Sequence, residues 1–302
     1  MIKKSTEYFW EWQYHNFTPH DWEDEHDYLE MDSPCVCTSM LCNRSFFDLP
    51  LVWYWMKRLG ERSVVYHRKQ WEYAYICQAL YERGSLQSGK RGLVFGVGKE
   101  PLPSLFASLG CNIVATDLSL DEATEQGWCD NIQHIESKTE ELNERHLCSP
   151  DIFAKNVTYR EVNMNNIPTD LKEFDFCWSS CALEHIGGIE NGLRFIENSV
   201  KTLKPGGIAV HTTEYNLFSI DETLESKGLS LFRRKDIEDV IERLVSNGHY
   251  VWPMNWHIGK SLVDNFVDLP PYHKKRMNHL RILISRYPCT SIGLIIKRCD
   301  KD

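Results

Sequence analysis

The chain has 302 residues with a formal net charge of −9, and 42% of its residues are hydrophobic. This negative balance argues against nucleic acid as the main partner, because binding to phosphates requires a basic face. No apolar run approaches the roughly 20 residues that span a bilayer, so no membrane span is predicted.

Residues 1–88 are predicted to form an N-terminal extension, helical or irregular, that packs on the main domain. Its first 50 residues are rich in aromatic residues, histidines and acids and show no clean periodicity. The most prominent are Trp10, Trp12, Trp22, His15, His20 and His26. From Leu49 to Gly84 the apolar spacing becomes helical, and Gly84 is expected to end the second helix.

A short polar segment, His67 to Glu72, opens this second helix. Two interpretations stay open for it. It is either a helix start with a charged first turn, or a segment that approaches a bound cofactor.

Eleven cysteines are scattered along the chain, and their number is odd. Cys111 and Cys177 lie inside predicted strands, so reduced thiols of a cytoplasmic protein are the simpler interpretation. The N-terminus has no apolar signal core, and secretion is not predicted. Cys35, Cys37 and Cys42 lie near histidines, but their spacing matches no paired Cys-x-x-Cys zinc motif, and small buried residues in a loop are favoured.

The segment from Gly92 to Gly98 is predicted to be a buried strand that ends in a glycine turn. A helix is expected over 100–109, and a second apolar strand, over 111–117, ends at Asp117. This is half of a parallel nucleotide-binding sheet. Glycines let the backbone approach a ligand closely, the helix N-terminus is positive, and the carboxylate can accept hydrogen bonds from ribose hydroxyls.

Position 101 narrows the choice of cofactor. Pro101 stands where a dinucleotide fingerprint has its third glycine, so a nicotinamide oxidoreductase is disfavoured. A cofactor with ribose and adenine but no phosphates tolerates this proline better. At this point the chain resembles the class I S-adenosylmethionine-dependent methyltransferases, and the resemblance implies S-adenosylmethionine as the cofactor.

Later motifs strengthen the resemblance. A third strand over 158–162 is followed by Asn163, and a fourth over 174–179 is followed by Leu-Glu-His, with His185 as its last residue. A helix is then expected to run to about Leu203 and to end in the Lys-Pro-Gly-Gly turn of 204–207. A turn of this sequence that leads into a fifth strand, here over 208–214, is typical of the family.

The C-terminal part completes the predicted fold. An amphipathic helix over 233–247 precedes a sixth strand over 250–258, and the last strand is predicted at 291–296. The resemblance implies an α/β, Rossmann-like sheet of seven strands with the last one antiparallel, in a domain of residues 89–302. An insert at about 259–290 contains Asp-Leu-Pro-Pro-Tyr at 268–272, which we interpret as a surface turn.

The resemblance also implies the cofactor-binding positions. They are Gly96, Val97, Gly98, Glu100, Asp117, Leu118, Asn163, Met164 and Ser179. Asn163 matches the family's acid or amide that holds the adenine amino group. Its amide oxygen can accept a hydrogen bond from that amino group. Two positions depart from the family. Val94 replaces the usual acid, and Glu100 replaces the third glycine; Glu100 either contacts the cofactor's ammonium, directly or through water, or starts the helix.

Two residues are predicted to be catalytic, His185 after the fourth strand and Glu214 at the end of the fifth. Both are expected at the carboxyl edge of the sheet, where doubly wound folds bind ligands. His185 is the preferred general base, because an unperturbed pKa near 6.5 suits neutral pH; the alternative is a histidine that structures its loop. Glu214 would orient it or bind substrate hydroxyls. His257 ranks lower, and His211 is expected to be buried. A divalent metal held by Glu214, His185 and another acid is an alternative, but no second acid stands at a convincing spacing, so no metal is predicted.

A second resemblance concerns the acceptor. The segments 67–72, 178–188 and 211–216 are similar to methyltransferases encoded with bacterial surface-glycan biosynthesis. It implies O-methylation of a sugar or glycan-precursor hydroxyl, an activity of class EC 2.1.1. Two alternatives stay open: N- or carboxyl-methylation of another small molecule, and a catalytically inactive partner subunit. The oligomeric state is left open.

Overall fold

The computed structural model describes residues 37–119, 122, 139–272 and 278–299. The predicted features of the first part of the extension lie outside the described residues, namely Trp10, Trp12, Trp22, His15, His20, His26 and Cys35. None of the helices in the described ranges combines the length and the apolar composition required to cross a membrane.

Within the described ranges, ten strands form one sheet. They are β1 (Ser39–Leu41), β2 (Arg91–Phe95), β3 (Asn112–Asp117), β4 (Val157–Glu161), β5 (Phe174–Ser180), β6 (Leu203–Asn216), β7 (Tyr250–Val251), β8 (Met254–Asn255), β9 (Ile282–Ile284) and β10 (Tyr287–Lys297).

The seven strands predicted from the sequence are β2 to β7 and β10, and they run across the sheet in the order β4-β3-β2-β5-β6-β10-β7. The pairs from β4 to β6 are parallel. Strand β10 is antiparallel to β6, in a register that pairs Ser291 with Glu214. The predicted Rossmann-like sheet with an antiparallel last strand is therefore confirmed.

Helices cover both faces of this sheet. They are α1 (Pro50–Arg58), α2 (Arg68–Glu82), α3 (Leu102–Ser108), α4 (Pro150–Asn156), α5 (Ile189–Val200), α6 (Arg234–Ser246) and α7 (Leu262–Asn265). Short 3-10 turns lie at Arg44–Asp48, Thr139–Asn143 and Leu183–His185.

Alternate side chains of each strand enter two separate cores, because successive residues of a strand point to opposite faces. In β2, Val94 packs with residues of α1, α2, α3 and α4. Leu93 and Phe95 pack on the other face, with residues of α5 and α6. Both faces being covered explains why all of β2 after Arg91 is buried.

The Lys-Pro-Gly-Gly segment differs from its prediction as a turn after a helix. The helix α5 ends at Val200, and residues 204–207 belong to β6. There they form an irregularity in the β5–β6 pairing, which passes from Phe174–Leu203 to Phe176–Ile208. The glycines permit this excursion, since Gly206 adopts a φ of 80°.

The predicted sixth strand is also shorter than expected. It is divided into β7 and β8, and Pro253 lies between them. Proline has no N–H to donate to a ladder, and here its carbonyl accepts a hydrogen bond from Thr38 Oγ1 instead. The prediction of one continuous strand over 250–258 is therefore wrong.

The extension joins the sheet rather than only packing on it. Strand β1 pairs antiparallel with β10, and β8 pairs in parallel with β1. Helix α2 crosses closely over β10 at Gly293, where an added Cβ would lie 2.2 Å from the ring of Tyr75. This close approach holds α2 on the sheet and brings its first turn to the carboxyl ends of the central strands.

The insert is only partly a surface turn. Leu269 and Tyr272 are exposed, as predicted for 268–272, but Asp268 is buried. The carboxylate of Asp268 lies 2.7 Å from His279 Nδ1. The His279 N–H donates to the Tyr66 carbonyl at 2.7 Å, so the insert is held against the segment that precedes α2.

Candidate functional site

The glycine turn after β2 lies directly against the segment that follows β5. Gly96 and Gly98 both have positive φ, 61° and 47°. A Cβ added at Gly96 would lie 2.6 Å from Ala182 Cβ and 3.4 Å from Met164 Sδ. A larger residue would collide with these neighbours, so only glycine allows the turn to pack this closely against the segment after β5.

The carboxylate of Asp117 is fixed at the tip of β3. Its Oδ2 accepts a hydrogen bond from the Gly98 N–H at 2.7 Å, and its Oδ1 accepts one from the Leu118 N–H at 2.8 Å. A carboxylate oxygen can accept more than one hydrogen bond. Ribose hydroxyls can thus be added to a group that the backbone already orients.

Asn163 and Met164 lie beyond the end of β4. The Asn163 Nδ2 donates to Glu122 at 2.9 Å, and its Oδ1 accepts from the Asn165 N–H at 2.9 Å. The Met164 side chain is buried beside Gly96. The amide oxygen can accept a second hydrogen bond, and an adenine amino group could donate it.

Glu100 is buried beneath the glycine turn. Trp178 Nε1 donates to its Oε1 at 2.6 Å, and burial raises the pKa of Glu100 to about 8. The helix α3 begins only at Leu102. A carboxyl group that is largely neutral and bonded to an indole suits core packing better than holding an ammonium group.

The side chain of Ser179 is also buried in the core. Its hydroxyl lies 2.8 Å from His211 Nδ1, and Ser199 Oγ lies 2.8 Å from His211 Nε2. The His211 ring is buried as expected, and burial lowers its pKa to about 3. Any contact of Ser179 with a cofactor would have to come from its backbone.

The first turn of α2 supplies a buried ion pair at the carboxyl edge of the sheet. Arg68 Nη1 contacts Glu214 Oε1, and both side chains are almost completely buried. Sequence reasoning identified Glu214 but only left open whether the segment 67–72 reaches the site. The structure confirms the helix start, because His67 caps α2 by accepting from the Lys69 N–H.

Glu72, one turn further along α2, is a polar residue that the sequence prediction did not single out. Its buried carboxylate accepts hydrogen bonds from Ser291 Oγ at 2.6 Å and Cys181 Sγ at 3.1 Å, and it pairs with Lys69 Nζ at 2.8 Å. Burial acts to raise its pKa, but the charges of Lys69 and Arg68 outweigh it and lower the pKa of Glu72 to about 2. Glu72 is therefore a fixed negative charge.

Glu184 lies in the 3-10 turn after β5, and its side chain points into the same cluster. It accepts from Thr213 Oγ1 at 3.0 Å, and burial raises its pKa. The next helix, α5, starts only at Ile189, so Glu184 lies outside it. We call Glu72, Cys181, Glu184 and Glu214 the carboxylate cluster.

His185 lies at the edge of the carboxylate cluster. Its Nδ1 lies 2.7 Å from the Gly228 carbonyl, which can only accept, so Nδ1 carries the proton. Its Nε2 lies 4.0 Å from Glu184 Oε1. His257, the lower-ranked candidate, is held within its own loop, where the Gly259 N–H donates to its Nδ1 at 3.2 Å.

His279 of the insert contacts the first turn of α2. The rings of His67 and His279 are stacked with centroids 4.6 Å apart, and the Arg68 N–H donates to the His279 carbonyl at 3.3 Å. Burial lowers the pKa of His67 to about 3, so its ring is neutral. Sequence reasoning missed this contact, since the two histidines are separated by most of the chain.

Comparison with known proteins matches part of the chain to a family model. Residues 93–211 match the model of a family described as a methyltransferase domain. A comparison with curated proteins found no match. The matched range contains the glycine turn, Asp117, Asn163 and His185, and it ends before Glu214.

Several solved structures are similar at low sequence identity. The methyltransferase domain of a bacterial CtHen1 is 13% identical, with 80% of this chain and 98% of that chain covered and a TM-score of 0.43. An S-adenosylmethionine-dependent methyltransferase from Mesorhizobium loti is 12% identical, with 73% and 96% covered and a TM-score of 0.42. A DhpI–SAH complex is 13% identical, with 83% and 96% covered and a TM-score of 0.41.

Proposed function

We propose that the chain is a class I S-adenosylmethionine-dependent methyltransferase and that it methylates a hydroxyl group of a sugar or glycan precursor. The observation that carries this proposal is the contact between the cofactor turn and the acceptor side of the crevice. Gly96 lies against Ala182, and Glu184 and His185 follow two and three residues later. A bound methyl donor and these side chains would therefore share one crevice.

S-adenosylmethionine is the methyl donor, and when bound it supplies a methyl carbon that its sulfonium already activates. The residues that would hold it are those of the turn from Gly96 to Gly98, with Asp117 on the ribose and Asn163 on the adenine amino group. Leu118 and Met164 would pack on the adenosine. The backbone hydrogen bonds of Asp117 hold its carboxylate in place before the cofactor binds.

A hydroxyl acceptor must lose its proton, because a neutral alcohol is a weak nucleophile. The Nδ1–H bond of His185 to Gly228 leaves Nε2 as the basic nitrogen of the neutral ring, on the side that faces Glu184. His185 would accept the acceptor's proton at this nitrogen. Glu214, held by Arg68, would orient the acceptor through its hydroxyl groups.

The walls of this crevice suit a polyhydroxylated acceptor. The ammonium group of Lys69, whose side chain is 42% exposed, supplies donors, and Nε2 of His185, whose side chain is 26% exposed, supplies an acceptor. Several fixed donors and acceptors of this kind can orient a sugar ring and bring one hydroxyl within about 3–3.5 Å of the methyl carbon.

The test is a screen with isotope-labelled S-adenosylmethionine against nucleotide sugars and oligosaccharides, with small amines and carboxylates as matched panels. Labelled sugar products, with the methyl group located on oxygen by mass spectrometry and NMR, are expected. Labelled amines or carboxylates in place of sugars would overturn the acceptor assignment. Calorimetry with S-adenosylmethionine separates the remaining case, because a protein that binds none is better explained as an inactive partner subunit.

A further inference from the structure

We infer that the carboxylate cluster binds a divalent transition-metal ion through Cys181, Glu184 and Glu214. The thiol sulfur and one carboxylate oxygen from each glutamate all lie within 4.8 Å of one another. Two ligands of one ion with bonds of about 2.0–2.3 Å cannot lie more than about 4.6 Å apart. The three atoms are therefore already gathered at nearly the required spacing.

Two buried oxygen atoms point to a ligand in this space. Among the described residues, no group donates a hydrogen bond to Glu184 Oε1 or to Glu214 Oε2. The two side chains are 0% and 8% exposed. Burying a carboxylate oxygen without a donor is costly, and buried polar atoms in native proteins nearly always have partners. A cation bound to both oxygens would supply the missing partner.

The other oxygen of each carboxylate is held in place by the protein. Thr213 Oγ1 donates to Glu184 Oε2 at 3.0 Å, and Arg68 donates to Glu214 Oε1. Metal-binding side chains commonly have such outer partners, which fix their orientation. Each glutamate thus has one oxygen held by the protein and one buried oxygen that receives no donor from the described residues.

The charges of the cluster balance with a divalent ion and a thiolate. In the described part of the chain, Glu214 pairs with Arg68 and Glu72 pairs with Lys69. The neutral ring of His185 lies 4.0 Å from Glu184. The three carboxylates and a Cys181 thiolate would carry four negative charges, which the two side-chain cations and one divalent ion neutralise. Uncompensated buried charge is strongly unfavourable, so an ion of this charge fits the cluster.

Cys181 is placed by an unusual backbone. Its φ of 48° lies in the left-handed region, which is uncommon for residues other than glycine. The Thr212 carbonyl holds it there by accepting from the Cys181 N–H at 3.0 Å. On metal binding the Sγ proton, now donated to Glu72, would leave to solvent as the sulfur–metal bond forms.

The ligand set selects the class of metal. A thiolate favours Zn²⁺ and its transition-metal neighbours, whereas Mg²⁺ and Ca²⁺ take oxygen ligands. Three protein ligands leave one coordination position open, as in catalytic rather than structural zinc sites. Use of this position to bind the acceptor oxygen rests on the proposed function, but metal binding itself does not.

The experiment titrates the chelator-treated full-length protein with Co²⁺ and follows thiolate-to-cobalt charge-transfer absorption. The wild type should give this absorption, and Zn²⁺ should abolish it by displacement. Cys181→Ser should lose the absorption, while Cys299→Ser, which changes a cysteine outside the cluster, should retain it. Glu184→Gln should keep the absorption but bind Co²⁺ at least about tenfold more weakly.

Two outcomes would overturn the inference. One is a wild-type protein that shows no charge-transfer absorption, which would indicate that a shared proton rather than a metal occupies the cluster. The other is a folded Cys181→Ser protein, checked by circular dichroism, that binds Co²⁺ with the wild-type spectrum. Cys181→Ala replaces it if the serine variant does not fold. Because no methyl acceptor is used, a failed acceptor screen leaves this result interpretable.

Discussion

Arg68 and Glu214 form a buried ion pair between residues 146 positions apart in the chain. Arg68 lies in the first turn of α2, which precedes β2 in the chain, and Glu214 lies near the end of the central strand β6. The segment before β2 thereby contributes a buried cation to the carboxyl edge of the central strands. The helix is held there by strand β10, on which Tyr75 packs at Gly293.

Replacing Arg68 by alanine should leave Glu214 buried without its cation. Removing one partner of a buried ion pair costs about 3–5 kcal/mol, so we expect the free energy of unfolding to fall by that amount in denaturant titrations. Arg234→Ala is the matched control, because its pair with Glu238 lies on an exposed helix face and should contribute no more than about 1 kcal/mol. Equal effects of the two substitutions would contradict the buried pairing.

Replacing His185 by alanine should lower kcat for O-methylation by about 10²–10⁴-fold, the usual contribution of a general base. Binding of S-adenosylmethionine, measured by calorimetry, should stay unchanged. His257→Ala serves as the control, since that ring is bonded within its own loop. A His185→Ala protein with most of its activity would instead indicate an acceptor that needs no base, such as an amine or a carboxylate.

The sequence predicts most of the fold because its signals are local. The apolar run of β2, the glycines after it and Asp117 at the tip of β3 lie within one strand-helix-strand unit, so their arrangement follows from short-range pattern. Residues 204–207 show the limit of such reasoning. Their glycines and proline are compatible with a turn, and only the pairing of β5 with β6 makes them part of a strand.

The contacts within the carboxylate cluster could not be predicted from local sequence pattern, for a different reason. Glu184 reaches Glu214 because a 3-10 turn replaces the expected helix start, and Thr213 then holds its carboxylate. Ser179 is turned into the core because the β5–β6 register sets it opposite His211. Register and side-chain direction across strands depend on the whole sheet, so spacing along the chain does not reveal them.

Gly96→Ala should destabilise the protein by more than the strain that an alanine with positive φ causes by itself. The alanine would need a left-handed φ, and its Cβ would lie 2.6 Å from Ala182 Cβ. Gly206→Ala is a matched control with a φ of 80° and no atom within 4 Å of the added Cβ. We expect the control to lose about 1–3 kcal/mol from strain alone, and Gly96→Ala to lose more in thermal unfolding and to bind S-adenosylmethionine more weakly.

The close contact at Gly96 can be tested by removing its partner atom. The double variant Gly96→Ala with Ala182→Gly deletes the Cβ that the new methyl group would meet. Part of the lost stability should then return, as a coupling between neighbouring residues. Strictly additive effects of the two substitutions would show that the glycine turn and Ala182 do not touch.

Glu100 should make the protein less stable as the pH rises from about 5 to about 8. Burial raises its pKa from 4.5 to about 8 in the folded state, so its protonated form is favoured by folding. This contribution is complete below the unfolded pKa of about 4.5 and is lost as the pH rises through the folded value. Between these limits each pH unit should cost up to about 1.4 kcal/mol.

Glu100→Gln keeps an oxygen that can accept from Trp178 Nε1 but cannot ionise. Its free energy of unfolding, measured by denaturant titration across this pH range, should therefore change less steeply than that of the wild type. The two curves should diverge most near pH 8, where the variant is the more stable protein. Glu144→Gln, at an exposed position, should run parallel to the wild type. If Glu100→Gln also ran parallel, Glu100 would be ionised in the folded protein and a charge partner would have to be sought.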